Sequence, residues 1–139
     1  MGIFTRTYKN NNKINVDIDE AIPEYLIGDK VRLSQIFMNL ASNSLKFTSN
    51  GEVKISAKVI RTESTFSFIR FEVSDNGIGI KENDQDRIFE PKFTTKNSGM
   101  GLGLSIIKNI IENYKGSITF ESQYGQGTTF TVSLPILNS

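Results

Sequence analysis

Cysteine and histidine are both missing from this chain of 139 residues, as is tryptophan. The absence of cysteine excludes disulfide bonds and thiolate metal sites. The absence of histidine means that an imidazole base, a histidine metal ligand or a phosphorylated histidine must come from another chain. An excess of one charge is missing too, since 16 basic residues face 15 acidic ones, and net charge therefore does not favour nucleic acid as a partner.

Long apolar runs are also absent. No run approaches the roughly 18 residues of a membrane-spanning helix, and the N-terminus lacks the basic-then-apolar order of a signal peptide. We therefore expect a cytoplasmic chain. Its length predicts one domain over 1–139 with a normal hydrophobic core.

Hydrophobic periodicity predicts the order β, α, β, β, long loop, α, β, β. The predicted elements are a strand over 13–18, a helix from Asp29 to Asn50, strands near 53–59 and 69–73, a helix from Leu104 to Gly116, and strands over 117–122 and 128–134. The strands alternate apolar and polar residues, which predicts a two-layer α/β sandwich with helices on one face of a mixed, mostly antiparallel sheet. We interpret Asn10 to Asn12 as a polar loop.

The long loop over 75–103 contains five of the eleven glycines and one short helical candidate, at 86–89. A loop of this length inside a compact domain is usually functional or mobile. The loop is therefore a candidate location for a binding site.

A polar stripe marks the first predicted helix. Asn39, Asn43 and Lys46 are spaced i, i+4, i+7 and share one side of it. Amide oxygens suit a hard cation such as Mg²⁺, and an ammonium group suits a phosphate. The alternative is an ordinary solvated helix face.

Two glycine-rich segments border the long loop. Asp75 precedes Gly77 and Gly79 at the end of a predicted strand, where a carboxylate suits an exocyclic amine such as that of adenine; the alternative is a simple turn. The segment 99–104 opens a helix, and its backbone N–H groups suit a phosphate; the alternative is a hinge. It matches neither the dinucleotide fingerprint nor a P-loop.

Together these segments resemble the catalytic and ATP-binding domain of sensor histidine kinases, which belongs to the Bergerat-fold ATPases. The resemblance covers about 17–135. Residues 32–48 resemble the family's N box, 75–80 its G1 box, 88–93 its F box and 99–104 its G2 box, and 125–130 resemble its closing glycine-rich turn.

The resemblance implies a Bergerat fold with a long ATP lid and a site for ATP and Mg²⁺. By analogy Asn43 ligates Mg²⁺ and orients the phosphates with Asn39 and Lys46, which makes these three the catalytic set. Lys92 is a further lid cation that could reach the γ-phosphate. The residues that the resemblance places around ATP are Asn39, Asn43, Lys46, Phe47, Asp75, Gly77, Gly79, Ile80, Lys96, Gly99, Gly101, Leu102, Gly103, Leu104 and Thr128. Simple core packing is the alternative for Phe47.

The chain also departs from a complete kinase. It has no histidine and no room for the helical hairpin that carries the family's phosphoacceptor. The resemblance therefore implies a monomeric catalytic domain whose partner is the dimerisation and phosphotransfer domain of the same parent kinase, with a response regulator as an indirect partner. Two alternatives remain: a nucleotide-binding module without transfer activity, and a serine kinase of the anti-sigma-factor type.

Overall fold

The computed structural model describes residues 3–8, 11–21, 26–27, 30–90 and 101–138, and the side chains within 11–21, 36–90 and 103–137. Along this part of the chain, groups of two or three strands are separated by helices. In chain order the elements are β1 (Ile3–Tyr8), β2 (Asn12–Ile18), β3 (Leu26–Ile27), α1 (Lys30–Lys46), β4 (Glu52–Thr62), β5 (Phe66–Asp75), α2 (Glu82–Gln85), α3 (Gly101–Asn113), β6 (Ser117–Gln123) and β7 (Gly127–Asn138).

The described strands form a single sheet in the order β1-β2-β4-β5-β7-β3, and β6 also pairs with β7. β2 and β4 run parallel, because α1 carries the chain back between them, and every other pair is antiparallel. The sheet is therefore mixed and mostly antiparallel, as the sequence predicts.

The helices α1 and α3 cover one face of this sheet. Alternate residues of the strands point to the helices and form the core, whereas the other face carries exposed charges such as the opposed pair Lys58 and Arg70. The largest fully buried hydrophobic side chains include Ile36, Leu40, Ile69, Ile88, Leu104, Ile107, Ile111 and Leu134. Each such side chain contributes about 1.5–3 kcal/mol through burial, so this layer holds the sandwich together.

The structure corrects three details of the predicted elements. α1 ends at Lys46 rather than at Asn50, β1 and β3 are strands that periodicity did not predict, and the short helix lies at Glu82–Gln85. The predicted helical segment 86–89 consists instead of turns, in which Arg87 N donates to Asp84 O and Glu90 N to Arg87 O. The predicted N-cap Asp29 lies outside the described residues.

Candidate functional site

The candidate site lies at the edge of the sheet where β5 ends and β7 begins. Asp75, the last residue of β5, lies opposite Thr128 of β7, which in turn lies opposite Ser122 of β6. The turn that follows Asp75 contacts the C-terminal end of α1, because Ile78 N donates to Phe47 O at 3.1 Å. The fold thus brings the predicted N-box helix and the predicted G1 segment together.

The carboxylate of Asp75 is partly buried and held in place. Burial raises the pKa of Asp75, while hydrogen bonds to its charged form from Gly77 N–H, the Ser44 hydroxyl and Thr128 N–H oppose that rise. Gly77 N lies 2.9 Å from Asp75 Oδ1. An oriented acceptor in a partly dehydrated setting makes a strong hydrogen bond with an amine.

Two residues beside Asp75 were not predicted as part of the site. Ser44 and Thr48 are buried polar residues on the α1 side of the carboxylate. The buried Thr48 hydroxyl lies close enough to the Asp75 carboxylate to lower the pKa of that group but makes no well-formed hydrogen bond among the described residues, and a ligand or water can supply one. Ser44 follows Leu40 by four positions, so helical periodicity places it on the apolar face and predicts its burial, but that spacing does not reveal its contact with Asp75.

The glycines after Asp75 are required by close packing. A Cβ at Gly77 would collide with the backbone carbonyl of Phe47, and one at Gly79 would collide with that of Gln123. Gly79 also has a φ of 72°, in the region that favours glycine. Both glycines therefore keep this loop tightly seated between α1 and the β6–β7 hairpin.

Side chains on the hairpin side also hold the loop. Ile80 N donates to Ser122 Oγ at 2.8 Å, and Gln85 Nε2 donates to Ile80 O at 3.0 Å and to Ser122 O at 3.2 Å. Neither Ser122 nor Gln85 was predicted as a site residue. Strand alternation could have placed Ser122 on the inner face with Ile118 and Phe120, but no local pattern marks Gln85.

The predicted polar stripe lies on α1, near its C-terminal end. Asn39 and Asn43 are half-buried and Lys46 is exposed, with its ammonium 5.5 Å from the centroid of the Phe47 ring. Phe47 is partly buried and packs against the core, as the alternative of simple core packing predicted. A contact between Phe47 and a base remains a prediction, as do the phosphate and metal roles of the stripe.

Asn12 fixes the end of this helix, and its interpretation as part of a polar loop was wrong. The side chain is fully buried at the first position of β2. Its amide nitrogen donates to Leu45 O at 3.1 Å and Thr48 O at 2.6 Å, and its oxygen accepts from Gly51 N at 3.0 Å. Asn12 therefore pairs backbone groups that the end of α1 would otherwise leave unsatisfied.

The predicted G2 segment is described only in part. Gly101 begins α3, and a Cβ at Gly103 would meet nothing within 4 Å, so approach to this position is open. Leu104 and Ile80 are buried in the core. The predicted contacts Lys92, Lys96 and Gly99 lie outside the described residues, as does the side chain of Leu102.

A polar depression of about 400 Å³ borders the site from the hairpin side. Asp75 and Thr128 line it together with Glu121, Gln123, Gln126 and Thr129, among other residues. The hydroxyl of Thr129 contacts Ser74, so this depression opens toward the polar side of the sheet. It is not the predicted space between Asp75 and α1.

The described residues also bear on metal binding and on membrane insertion. The described residues contain no cluster of three or more acidic residues that could hold a metal ion by itself. None of their helices is long and apolar enough to cross a membrane.

Comparison with known proteins identifies the fold and the family. The family described as histidine kinase-, DNA gyrase B-, and HSP90-like ATPase matches residues 28–138. The chain is 36% identical over 134 residues to the hybrid signal transduction histidine kinase B of Dictyostelium discoideum, covering 92% of this chain and 7% of that protein. The chain spans between 7% and 14% of the length of the curated relatives it matches.

Two solved structures show the same architecture. Full-length ShkA in complex with AMPPNP superposes with a TM-score of 0.80 at 30% identity, over 94% of this chain and 27% of that one. The nucleotide-free catalytic domain of the histidine kinase ThkA superposes with a TM-score of 0.74 at 32% identity, over 91% and 80% of the two chains. The resemblance stated from the motifs is thereby confirmed. The chain belongs to the histidine kinase-, DNA gyrase B- and HSP90-like ATPases, and within them to the ATP-binding catalytic domains of sensor histidine kinases.

Proposed function

We propose that this chain binds Mg·ATP between α1, the end of β5 and the start of α3, and transfers the γ-phosphoryl group to a histidine on the dimerisation domain of its parent kinase. The observation that carries the proposal is the carboxylate of Asp75. It is partly buried and oriented by Gly77 N–H, the Ser44 hydroxyl and Thr128 N–H, and the Thr48 hydroxyl beside it makes no well-formed hydrogen bond among the described residues.

Adenine recognition follows from this arrangement. Asp75 accepts a hydrogen bond from the exocyclic amine of the base, and the Thr48 hydroxyl gains a partner in the base or in a water that bridges to it. Guanine carries a carbonyl at the corresponding position. An acceptor facing an acceptor is repulsive, so the site discriminates against GTP.

The phosphate end involves α1 and α3. The first N–H groups of α3 have no partner within the helix, and the open approach at Gly103 allows a phosphate to reach them. Asn39, Asn43 and Lys46 present two amides and one cation from α1. These donors hold the triphosphate for an in-line attack.

Magnesium fits this set of residues only as a shared ion. Mg²⁺ commonly takes one or two protein oxygens, several waters and the oxygens of phosphates, so the amide oxygen of Asn43 is a sufficient protein ligand. When bound, Mg²⁺ neutralises charge that develops on the transferred group. No further ligand from the described residues is needed for this role.

The transfer itself requires a second domain. A ring nitrogen of the acceptor histidine forms a bond to the γ-phosphorus, the bond to the bridging oxygen breaks, and ADP leaves with that oxygen. This chain has no histidine, so it supplies positioning and charge stabilisation rather than the nucleophile. Its parent protein is then a cytoplasmic or membrane-anchored sensor that signals to a response regulator.

Nucleotide binding is tested first, by thermal unfolding with ATP, ADP and GTP, with and without Mg²⁺. A ligand at about one hundred times its dissociation constant adds roughly 2.7 kcal/mol of stability, so adenine nucleotides should raise the melting temperature and GTP should not. The absence of any rise with ATP and ADP would contradict the proposal.

The metal role of Asn43 has its own test. Asn43→Ala should weaken Mg·ATP more than it weakens ATP measured in the presence of a chelator. Met38→Ala, at an exposed position on the same helix, is the control. Equal losses with and without metal would remove Asn43 from the magnesium site.

Transfer is tested by adding a histidine-containing dimerisation hairpin of a related kinase together with labelled ATP. Acid-labile phosphate on the hairpin is the expected product, and an Asp75→Asn variant should form much less of it. Strong ATP binding without transfer would favour the non-transferring module. Acid-stable phosphate on a supplied protein would favour a serine kinase.

A further inference from the structure

Both backbone polar groups of Ile80, its N–H and its C=O, are hydrogen-bonded by side chains of other elements. Ile80 N donates to Ser122 Oγ at 2.8 Å, and Ile80 O accepts from Gln85 Nε2 at 3.0 Å. The same amide group of Gln85 donates to Ser122 O at 3.2 Å. One side chain from α2 and one from β6 thus tie a single loop residue to the hairpin.

The hydroxyl of Ser122 is fully used in this network. It donates to Gly127 O at 3.1 Å, lies 2.9 Å from Thr128 Oγ1 and accepts from Ile80 N. A serine hydroxyl has a single proton. Since that proton goes to Gly127, the proton between the two hydroxyls belongs to Thr128, and Thr128 Oγ1 keeps its lone pairs for other donors.

The rest of the loop depends on the same hairpin. Gly125 N donates to Ile78 O at 2.6 Å, and Gly79 lies against the backbone of Gln123 with no space for a Cβ. Gly127 in turn leaves no space for a Cβ next to the backbone of Asp75. A shift of the hairpin therefore moves the loop and the residue that precedes it.

We infer that Gln85 and Ser122 are positioning residues that set the place of the Gly77–Ile80 loop relative to Asp75, and thereby set the affinity for adenine nucleotides and their preference over guanine nucleotides. The inference rests on the proposed function for its ligand. It adds two residues that touch no nucleotide and act through the loop that does.

Gln85→Glu and Gln85→Ala separate this role from simple packing. Glutamate keeps the size of glutamine but points oxygens at two carbonyl groups, whereas alanine removes the contact. If Gln85 only fills space, glutamate should be the milder change. If it positions the loop through its two hydrogen bonds, glutamate should be at least as harmful as alanine.

The experiment measures dissociation constants for ATP and GTP by calorimetry, well below the melting temperature of each variant. We expect Gln85→Ala and Ser122→Ala to weaken ATP by about 3- to 10-fold, with a smaller change for GTP, so that the ATP preference falls. Gln85→Glu should weaken ATP at least as much as Gln85→Ala. Asn83→Ala, an exposed amide in the same helix, is the control and should match the wild type.

Wild-type affinity for ATP in both Gln85→Ala and Ser122→Ala would overturn the inference, and so would a milder loss in Gln85→Glu than in Gln85→Ala. An equal loss for ATP and GTP would also overturn it, because general loosening of the domain does not distinguish the bases.

Amide hydrogen exchange of the nucleotide-free protein tests the hydrogen bonds independently of any ligand. The Ile80 amide should exchange at least about tenfold faster in Ser122→Ala than in the wild type, because its acceptor is gone. An unchanged rate would overturn the inference even if ATP binds. Failure of the wild type to bind ATP, with fast exchange in Ser122→Ala, would instead overturn the proposed function and leave the loop attachment established.

Discussion

Along the face of the β5–β7 ladder that points to the helices, the residue pairs change from apolar to polar. The pairs that face the helices run from Ile69 and Leu134 through Val73 and Phe130, and all their residues are apolar and buried except the partly buried Phe71. The last pair in the same row is Asp75 and Thr128. The apolar pairs stabilise the sandwich by burial, whereas the final polar pair needs hydrogen bonds from its surroundings to offset the cost of leaving water. Core and candidate site therefore follow one another within the same regular strand pairing, with no change in backbone conformation.

The largest expected effect lies in the apolar part of the ladder. Leu134→Ala should lower the free energy of unfolding by about 2–5 kcal/mol, because it leaves a cavity opposite Ile69. Chemical denaturation measures this loss. Leu137→Ala, at an exposed leucine in the same strand, is the control and should change stability by less than about 0.5 kcal/mol. A loss of ATP affinity in folded Leu134→Ala would contradict the separation of core and site.

The polar pair should show the opposite behaviour. Asp75→Asn should weaken ATP by about 10- to 100-fold, since an amide donor faces the base amine and a charged hydrogen bond is worth about 1.5–3 kcal/mol. The melting temperature should not fall, because burial disfavours the charged form of Asp75. Calorimetry and thermal unfolding measure the two quantities. Asp86→Asn, at an exposed carboxylate, is the control, and unchanged ATP affinity in Asp75→Asn would refute the assigned role.

Asn12 extends the comparison between apolar and polar pairs to a polar side chain that is buried but is not predicted to bind a ligand. Asn12→Ala should cost about 1–3 kcal/mol of stability, since it leaves the carbonyl oxygens of Leu45 and Thr48 and the N–H of Gly51 without their partner. Asn109→Ala, an exposed asparagine in α3, is the control for denaturation. Wild-type stability in Asn12→Ala would mean that water replaces the side chain at no cost.

The smallest expected effect is a pH dependence with opposite signs for binding and stability. The pKa of Asp75 is raised above its ordinary value of 3.8, so its contribution to stability is largest at low pH and falls as pH rises through the folded pKa. ATP affinity should rise over the same window, because the charged carboxylate is the acceptor. Asp75→Asn provides the baseline for titration of ATP itself. Parallel changes in the two proteins would show that Asp75 does not titrate in this way.

Local periodicity was sufficient for most of the fold. The strands β2 and β4 to β7 and the helices α1 and α3 were predicted because their own residues alternate or repeat on one face. β3 escaped prediction because two residues carry no period. β1 escaped because its apolar residues Ile3, Phe4 and Tyr8 do not alternate with its polar ones, which form the continuous run 5–7.

The site was predictable only where its residues stand close together in a short sequence motif. Asp75 and the glycines after it stand next to one another in the sequence. The partners of Asn12 lie 33 to 39 positions away, and Gln85 lies 37 positions from Ser122. Such pairs form only when elements distant in the sequence meet, so no local pattern reveals them.

The parallel pairing of β2 with β4 has a practical consequence for where this domain can be divided. The region matched by the family begins at residue 28, whereas β2 and Asn12 lie before it. A fragment that began at residue 28 would expose one long side of β4 and remove the side chain that secures the end of α1. The smallest unit expected to fold by itself therefore starts no later than Asn12, ahead of every motif by which the family is recognised.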